Sequence, residues 1–269
     1  LDAFYTSPKI IGAMYDALSN NGFTGGRILE PSMAIGNFFG KMPQEMRGNS
    51  SLHGVELDSI SGRIAQKLYP SADIKITGFE QTTFRDNSFD LAVGNVPFGD
   101  SSLHEKKYDK YHFKIHDHFF AKSLDKVKEN GIVAFITSTG TMDKKNTSVR
   151  KYLAERAELV GAIRLPSGAF KASAGTDVDS DIIFLQKRPQ PIELTADNMP
   201  NWVELGQTEN GLPINNYFAE NPDMVLGEMV EGNKMFGREG TSCVAIEGAN
   251  LDDLLADAVK NIHFETITR

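Results

Sequence analysis

Phe89-Asp90-Leu91-Ala92-Val93-Gly94-Asn95-Val96-Pro97-Phe98 is the stretch that decides the fold of this chain. Residues 89–93 form an apolar run with a single acid, bounded by turn residues and too short for a helix. That pattern reads as a buried strand. The turn that follows places an Asn side chain and the neighbouring backbone carbonyl at the strand's carboxyl end. Two such oxygens can accept two hydrogen bonds from one exocyclic amine. The ring of Phe98 can stack on a planar base.

Upstream, Glu30-Pro31-Ser32-Met33-Ala34-Ile35-Gly36-Asn37-Phe38 leaves a second short strand, at 27–30, in the same manner. A chain that turns sharply off a strand end presents backbone N–H groups to an anion, and a Gly lets the backbone approach closely. The strands and helices alternate around these two turns. Thr6-Ser7-Pro8 starts a helix that carries Ile10, Ile11, Met14, Tyr15 and Leu18. A strand at 52–57 ends in Glu56-Leu57-Asp58, and Ser59 is positioned to cap the helix of Ile60, Ile64 and Leu68. A third strand is expected at 73–77. Residues 99–114 are charged and aromatic without a clean period and read as a loop. A helix with Phe119, Phe120, Leu124 and Val127, a buried strand at 131–136 and a helix at 148–156 come next. Strands at 159–165 and 181–187 close the series, with turn pairs Ser167-Gly168 and Ala174-Gly175 between them and no helix. The reading is therefore an α/β fold: seven strands, mostly parallel, with an antiparallel last strand and helices on both faces.

Composition narrows the class. The 269 residues suffice for one large domain, or one with an appendage; 40% are apolar and 24% charged, which implies a packed core. No apolar run approaches the ~20 residues that span a bilayer, so no membrane partner is expected. The start has no basic segment followed by an apolar one, so no signal peptide is visible. It opens on Leu1 rather than Met, and a piece of a longer polypeptide is expected. One cysteine, Cys243, excludes a disulfide framework and a thiolate metal site within one chain and fits a reducing cytoplasm. After Arg188, Pro189, Pro191, Pro200, Pro213 and Pro222 break up the chain, and a helix carrying Leu251, Leu254, Leu255, Ala258 and Ile262 begins at an Asn250 cap. We read 1–188 as the catalytic domain and 189–269 as an irregular appendage or linker ending in a helix.

The two strand-end motifs, in this order, resemble those of N6-adenine-specific DNA methyltransferases, and more narrowly the methylase portion of methylase–helicase polypeptides of mobile elements and phages. Stretches 90–99, 135–151 and 162–188 carry the closer match, and the likeness covers about residues 4–188. The resemblance implies a Rossmann-like S-adenosylmethionine-dependent methyltransferase fold with S-adenosylmethionine as cofactor. It implies that Tyr5 and Thr6 pack over the methionine end. Glu30, Pro31, Ser32, Ala34, Gly36 and Phe38 form the cofactor loop, where Glu30 accepts from the methionine ammonium. Ala34 stands where the family usually has Gly, so a backbone conformation that Ala tolerates is expected there. Glu56 would accept from the ribose hydroxyls beside Leu57, and Phe79 and Glu80 would meet the adenine ring.

The family most often reads Asn-Pro-Pro followed by Tyr, Phe or Trp. Here Val96 replaces the first Pro, keeping the carbonyl while regaining an N–H and a freer φ, so a less rigid loop is expected. The resemblance assigns Asn95, Val96, Pro97 and Phe98 to catalysis on a flipped-out adenine, with Phe113, Tyr108 or Tyr111 covering its other face.

DNA is the implied partner. Its phosphates are expected to meet Lys106, Lys107, Lys110 and Lys114, then Lys144 and Lys145, in a stretch that continues to Arg150 and Lys151. With a net charge of −8, either the positive charge that meets DNA is local to these stretches or another part of a longer polypeptide, such as a helicase or target-recognition region, supplies it. His112, His116 and His118 read as facing water or phosphate rather than a metal. Asp177, Asp179 and Asp181 read as solvation of an edge strand. Two other readings fit: methylation of a protein glutamine or another amine, and a non-catalytic DNA-binding or assembly scaffold on the same fold.

Overall fold

The computed structural model describes residues 6–168, 178–233 and 238–265. Its sheet is built from β1 (Arg27–Glu30), β2 (Ser51–Glu56), β3 (Asp73–Ile76), β4 (Phe89–Asn95), β5 (Val127–Ser138), β6 (Ala157–Leu165) and β7 (Ser180–Lys187). These seven lie in the order β3-β2-β1-β4-β5-β7-β6. β7 runs against both of its neighbours, and the remaining pairs are parallel. The sheet is flanked by α1 (Pro8–Asn20), α2 (Asn37–Gly40), α3 (Gln44–Gly48), α4 (Ser59–Leu68), α5 (Ile115–Lys126), α6 (Gly140–Asp143) and α7 (Ser148–Arg156).

The central strands are apolar on both faces, as a covered parallel sheet requires. Leu91, Ala92, Val93, Val133, Ala134, Phe135, Phe184 and Leu185 are all buried. The strand order reverses beside β1 and β4, so both strand-end motifs open into the crevice at that switch point. β4 extends two residues beyond the expected strand, so Asn95 is still paired, opposite Ile136. Ser7 caps α1 by accepting from the Lys9 N–H, with Pro8 at the first helical position. The cap of α4 is Asp58, which accepts the Ser61 N–H at 2.8 Å, rather than the expected Ser59. The carboxylate one position earlier reaches the orphan donor, leaving Ser59 inside the first turn.

The sheet carries a buried ion pair that the sequence reading missed. Arg164 and Asp181 face each other across β6 and β7. Both are fully buried, and the guanidinium donates to both carboxylate oxygens at 2.8 and 2.9 Å. Asp181 is thus no edge-solvating acid, because β7 is inserted between β5 and β6 rather than lying at the edge. Asp179 accepts the Cys243 N–H at 3.0 Å, and Asp177 lies outside the described residues, as does the Ala174-Gly175 turn.

Residues after Arg188 include β8 (Leu205–Gln207), β9 (Pro213–Asn215), α8 (Asn216–Glu220), β10 (Glu228–Asn233), β11 (Arg238–Val244) and α9 (Leu251–Val259). β8 pairs with β9 and β10 with β11, each antiparallel. The α9 helix, capped by Asn250, buries Leu255, Ala258 and Val259 and packs against α1. Lys9 pairs with Asp252, and Asn21 bonds Ile262 and Phe264 through its side chain.

Candidate functional site

The loop after β1 is held by backbone bonds and one carboxylate. The Met33 N–H donates to the Val55 carbonyl at 2.9 Å. The Ala34 N–H donates to Glu56 Oε1 at 2.9 Å, and Glu56 Oε2 accepts the Asp58 N–H at 2.7 Å. Glu56 therefore ties the loop after β1 to the end of β2. Ala34 takes φ 49°, in the left-handed region, contrary to the expectation of a conformation that Ala tolerates well. This costs roughly 1–2 kcal/mol for an L-residue, and the bond to Glu56 offsets part of it. Gly36 takes φ 94°, and a Cβ there would collide with the Tyr69 ring. Only Gly serves this turn into α2. Phe38 is buried, its carbonyl accepting from Tyr15 Oη at 2.6 Å. Pro31 is buried and Ser32 half-buried.

Glu30 is 1% exposed, and its Oε2 has no hydrogen-bond partner among the described residues. Burial first, and then the charge of Glu56, push its pKa well above the ordinary carboxylate range. An acid raised in the folded state destabilises the fold once ionised. Stability therefore falls as pH rises through the raised pKa and is regained on the acid side. Glu30→Gln is expected to raise the melting temperature at mildly alkaline pH, by roughly 1–3 kcal/mol in stability, and to flatten its pH dependence. The same change is expected to weaken cofactor binding. Calorimetric melts across pH, with and without ligand, check both.

At the end of β4, Asn95 is half-buried and its Nδ2 donates to Thr6 Oγ1 at 3.1 Å. Val96 is buried, and its N–H donates to the Ile136 carbonyl at 3.1 Å. The expectation of a looser turn is thereby corrected: the regained N–H continues the β4–β5 ladder by one bond. Pro97 and Phe98 are half-buried. Thr6 is 3% exposed, and Tyr5 lies outside the described residues.

Two sequence-predicted rings are enclosed. Phe79 is 2% exposed, packed on Phe119 at 5.0 Å and under the Lys122 ammonium. Phe113 is 5% exposed, stacked on Tyr111 at 5.1 Å and edge-on to Tyr152. Neither offers a free face, whereas Tyr111 is exposed. Glu80 is half-buried, and Leu57 is 69% exposed beside Glu56.

The loop at 99–114 contains one turn of 3-10 helix at Asp109–Tyr111 and is tied down by buried charges. The Lys122 ammonium donates to the Phe79 and Thr82 carbonyls and to Glu105 at 2.8–2.9 Å. His118 Nε2 lies 2.8 Å from the other Glu105 oxygen. His116 and His118 are thus buried rather than facing water, while His112 is exposed. Lys122 was missed by sequence reading. The signal was His118 and Lys122 at i and i+4 on a buried helix face, which calls for an acid opposite. No group of three or more His, Cys, Asp or Glu among the described residues could hold a metal. Lys106, Lys110, Lys144, Lys145 and Lys151 are exposed. Lys107 pairs with Asp125 at 3.0 Å and Lys114 with Asp100 at 2.7 Å. Arg150 leaves the basic stretch: it is buried and donates to the Val203 carbonyl at 2.7 Å.

A seven-stranded sheet with β7 reversed between β5 and β6, and with acids and glycine at the first strand ends, is the S-adenosylmethionine-dependent methyltransferase fold. A class I S-adenosylmethionine-dependent methyltransferase of Listeria monocytogenes superposes with a TM-score of 0.59 at 16% identity, over 73% of this chain and 65% of its own. The profile of the Eco57I restriction-modification methylase family matches residues 35–170, and the chain belongs to that family.

The Defense against restriction protein B of Escherichia phage P1 is 33% identical over 192 residues, which are 69% of this chain and 8% of that protein. The modification methylase CviBIII of Paramecium bursaria Chlorella virus NC1A is 28% identical over 132 residues, 48% of this chain and 34% of that protein. The chain thus spans a minor part of both relatives.

S-adenosylmethionine is the cofactor of this family. The residues present fit it: the unpartnered oxygen of buried Glu30 suits an ammonium, and Leu57 sets an exposed apolar surface beside Glu56.

Proposed function

We propose that this chain methylates the N6 amino group of adenine in DNA, on a base flipped out of the duplex. The reading is carried by one observation. The Asn95 amide stands at the end of β4 with its N–H₂ end bonded to Thr6, which leaves Oδ1 to accept from an amine. Glu30 and Glu56 would hold the ammonium and ribose ends of S-adenosylmethionine, which supplies an activated methyl group. The amino nitrogen of adenine is a poor nucleophile because its lone pair is delocalised into the ring. Oδ1 of Asn95 and the Val96 carbonyl would accept its two N–H groups and localise that pair. Phe98 would stack on the base, with exposed Tyr111 replacing Phe113 as the ring nearest its other face. The nitrogen proton becomes acidic once the N–C bond forms, so no strong base is required. Positioning and electrostatics carry the rate.

The exposed Lys106, Lys110, Lys144 and Lys145 are assigned to DNA phosphates, with Lys107 and Lys114 exchanging their own acids for phosphate. We assign catalysis to residues 1–188 and a bracing role to 189–269. Sequence reading is assigned to a target-recognition or helicase region of a longer polypeptide, consistent with the net charge of −8. One observation favours the scaffold reading instead: both Glu56 oxygens already accept backbone N–H groups. Each oxygen has a second lone pair, so the ribose remains compatible.

Calorimetric titration with S-adenosylmethionine and S-adenosylhomocysteine decides between them. Binding by the native chain, lost in a folded Glu56→Ala variant, is the expected result and justifies assays on DNA and on a glutamine peptide. No binding by folded native protein would sink the enzyme reading.

A further inference from the structure

We propose that Lys122 is a positioning residue for Glu80, fixing the turn from which that carboxylate meets the amino group of the cofactor's adenine. This rests on the S-adenosylmethionine site above and on no step of methyl transfer. The turn lies at the third strand end. Ile76 closes β3 opposite Glu56, and the Thr77 N–H donates to the Glu56 carbonyl at 3.0 Å. The turn therefore borders the same crevice as Glu56, at the carboxyl ends of the strands. One turn of 3-10 helix, Phe79–Gln81, follows. Glu80 is half-buried, and its carboxylate folds back over Gly78, where a Cβ would collide with it. No described residue donates a hydrogen bond to that carboxylate. A half-buried acceptor without a donor, next to the acid assigned to the ribose, suits an exocyclic amine.

The backbone on both sides of Glu80 is held by one ammonium. Lys122, 1% exposed on α5, donates to the Phe79 carbonyl at 2.9 Å, to the Thr82 carbonyl at 2.8 Å and to Glu105 at 2.9 Å. An ammonium has three donors and no acceptor, so these roles cannot be exchanged, and the three acceptors use all of it. Two of the three bracket Glu80 in the sequence. Inside the turn, the Thr82 N–H and Oγ1 both donate to the Phe79 carbonyl, at 3.1 and 2.6 Å. Those bonds close the turn on itself without fixing it to the domain. The Phe79 ring packs on Phe119, an apolar contact that sets no direction for the backbone. The bonds from Lys122 supply the direction. Without them two buried carbonyls lose a donor, and the turn is free to aim Glu80 elsewhere.

The test is calorimetric titration with S-adenosylhomocysteine and with S-inosylhomocysteine, in which an oxo group replaces the adenine amine. The native chain is expected to prefer the amine by about tenfold or more. Lys122→Met is made together with Glu105→Gln, so that no buried charge is stranded, and melting temperatures confirm folding. This double variant is expected to bind the inosyl ligand within about threefold of native and to lose the preference to within about twofold of unity. Glu80→Ala is expected to lose the preference equally, and adding it to the double variant is expected to change nothing further. Glu105→Gln alone keeps both carbonyl bonds and is expected to keep the preference. Lys122→Gln retains N–H donors without charge and is expected to show an intermediate preference, which gives a second reading should the double variant fail to fold. A folded double variant that weakens both ligands equally would make Lys122 a structural support only and overturn the proposal. So would a preference lost in Glu105→Gln alone, or a native chain that binds both ligands alike. A native chain that binds neither ligand would overturn the cofactor site itself, and this proposal with it.

Discussion

Asn95→Ala is expected to lower the rate of methyl transfer by a factor of roughly 10²–10³ while leaving cofactor affinity nearly unchanged. In the proposed reading the substitution removes Oδ1, one of the two acceptors assigned to the amine, and would leave the Val96 carbonyl alone to localise the lone pair. Glu30 and Glu56 lie on other strands and are untouched. The fold loses the single Asn95–Thr6 bond, about 1 kcal/mol. Single-turnover incorporation of labelled methyl, set beside calorimetric titration of S-adenosylhomocysteine, separates the two effects. Asn95→Asp retains an acceptor oxygen and is expected to fall between native and Ala. If Asn95→Ala transfers methyl at the native rate, the assignment of this turn to catalysis is wrong.

The largest stability effect is expected at Arg164. Its guanidinium donates to both oxygens of Asp181 and to Asp143 at 2.6 Å, and lies 4.7 Å from the centre of the Phe218 ring. Two acids meet one cation there. The excess charge is eased by the Asn215 N–H, which donates to the other Asp143 oxygen at 3.0 Å. Arg164→Met removes the cation and strands a fully buried carboxylate, a change that costs about 3–5 kcal/mol. Guanidinium unfolding should show the midpoint fall accordingly. The double variant Arg164→Met, Asp181→Leu should recover much of the loss, because the stranded charge goes with its partner. The same network fastens the C-terminal residues: the Leu226 N–H donates to the Arg164 carbonyl at 2.9 Å, and Asn215 binds the Met142 and Trp202 carbonyls. Limited proteolysis of Arg164→Met is expected to cut first after residue 200.

What the sequence made legible was local. Short apolar runs ending in Glu30, Glu56 and Asn95 announced strands and the ends at which a site would form, and the reversed last strand followed from two strands without a helix between them. The long-range partners were not legible. Arg164 and Asp181 meet only because β7 is inserted between β5 and β6 in one register, and nothing within either strand encodes that neighbour. Glu105 stands in an aperiodic loop, so its pairing with His118 and Lys122 depends on how that loop folds back on α5. Phe79 and Phe113 were misplaced for a related reason: an aromatic beside a motif stacks equally well on a ligand or in the core, and its local sequence is the same in both cases.

The Val96 N–H has a consequence of another kind. A proline at this position carries no amide hydrogen, so the position is silent in hydrogen–deuterium exchange when proline occupies it. In this chain the same position bears an exchangeable hydrogen, bonded to the Ile136 carbonyl at the edge of the crevice. It takes up deuterium only when that bond breaks. The turn after β4 thus carries its own clock: the uptake rate of the Val96 amide measures how often the turn parts from β5, and any ligand that holds the turn in place would slow it.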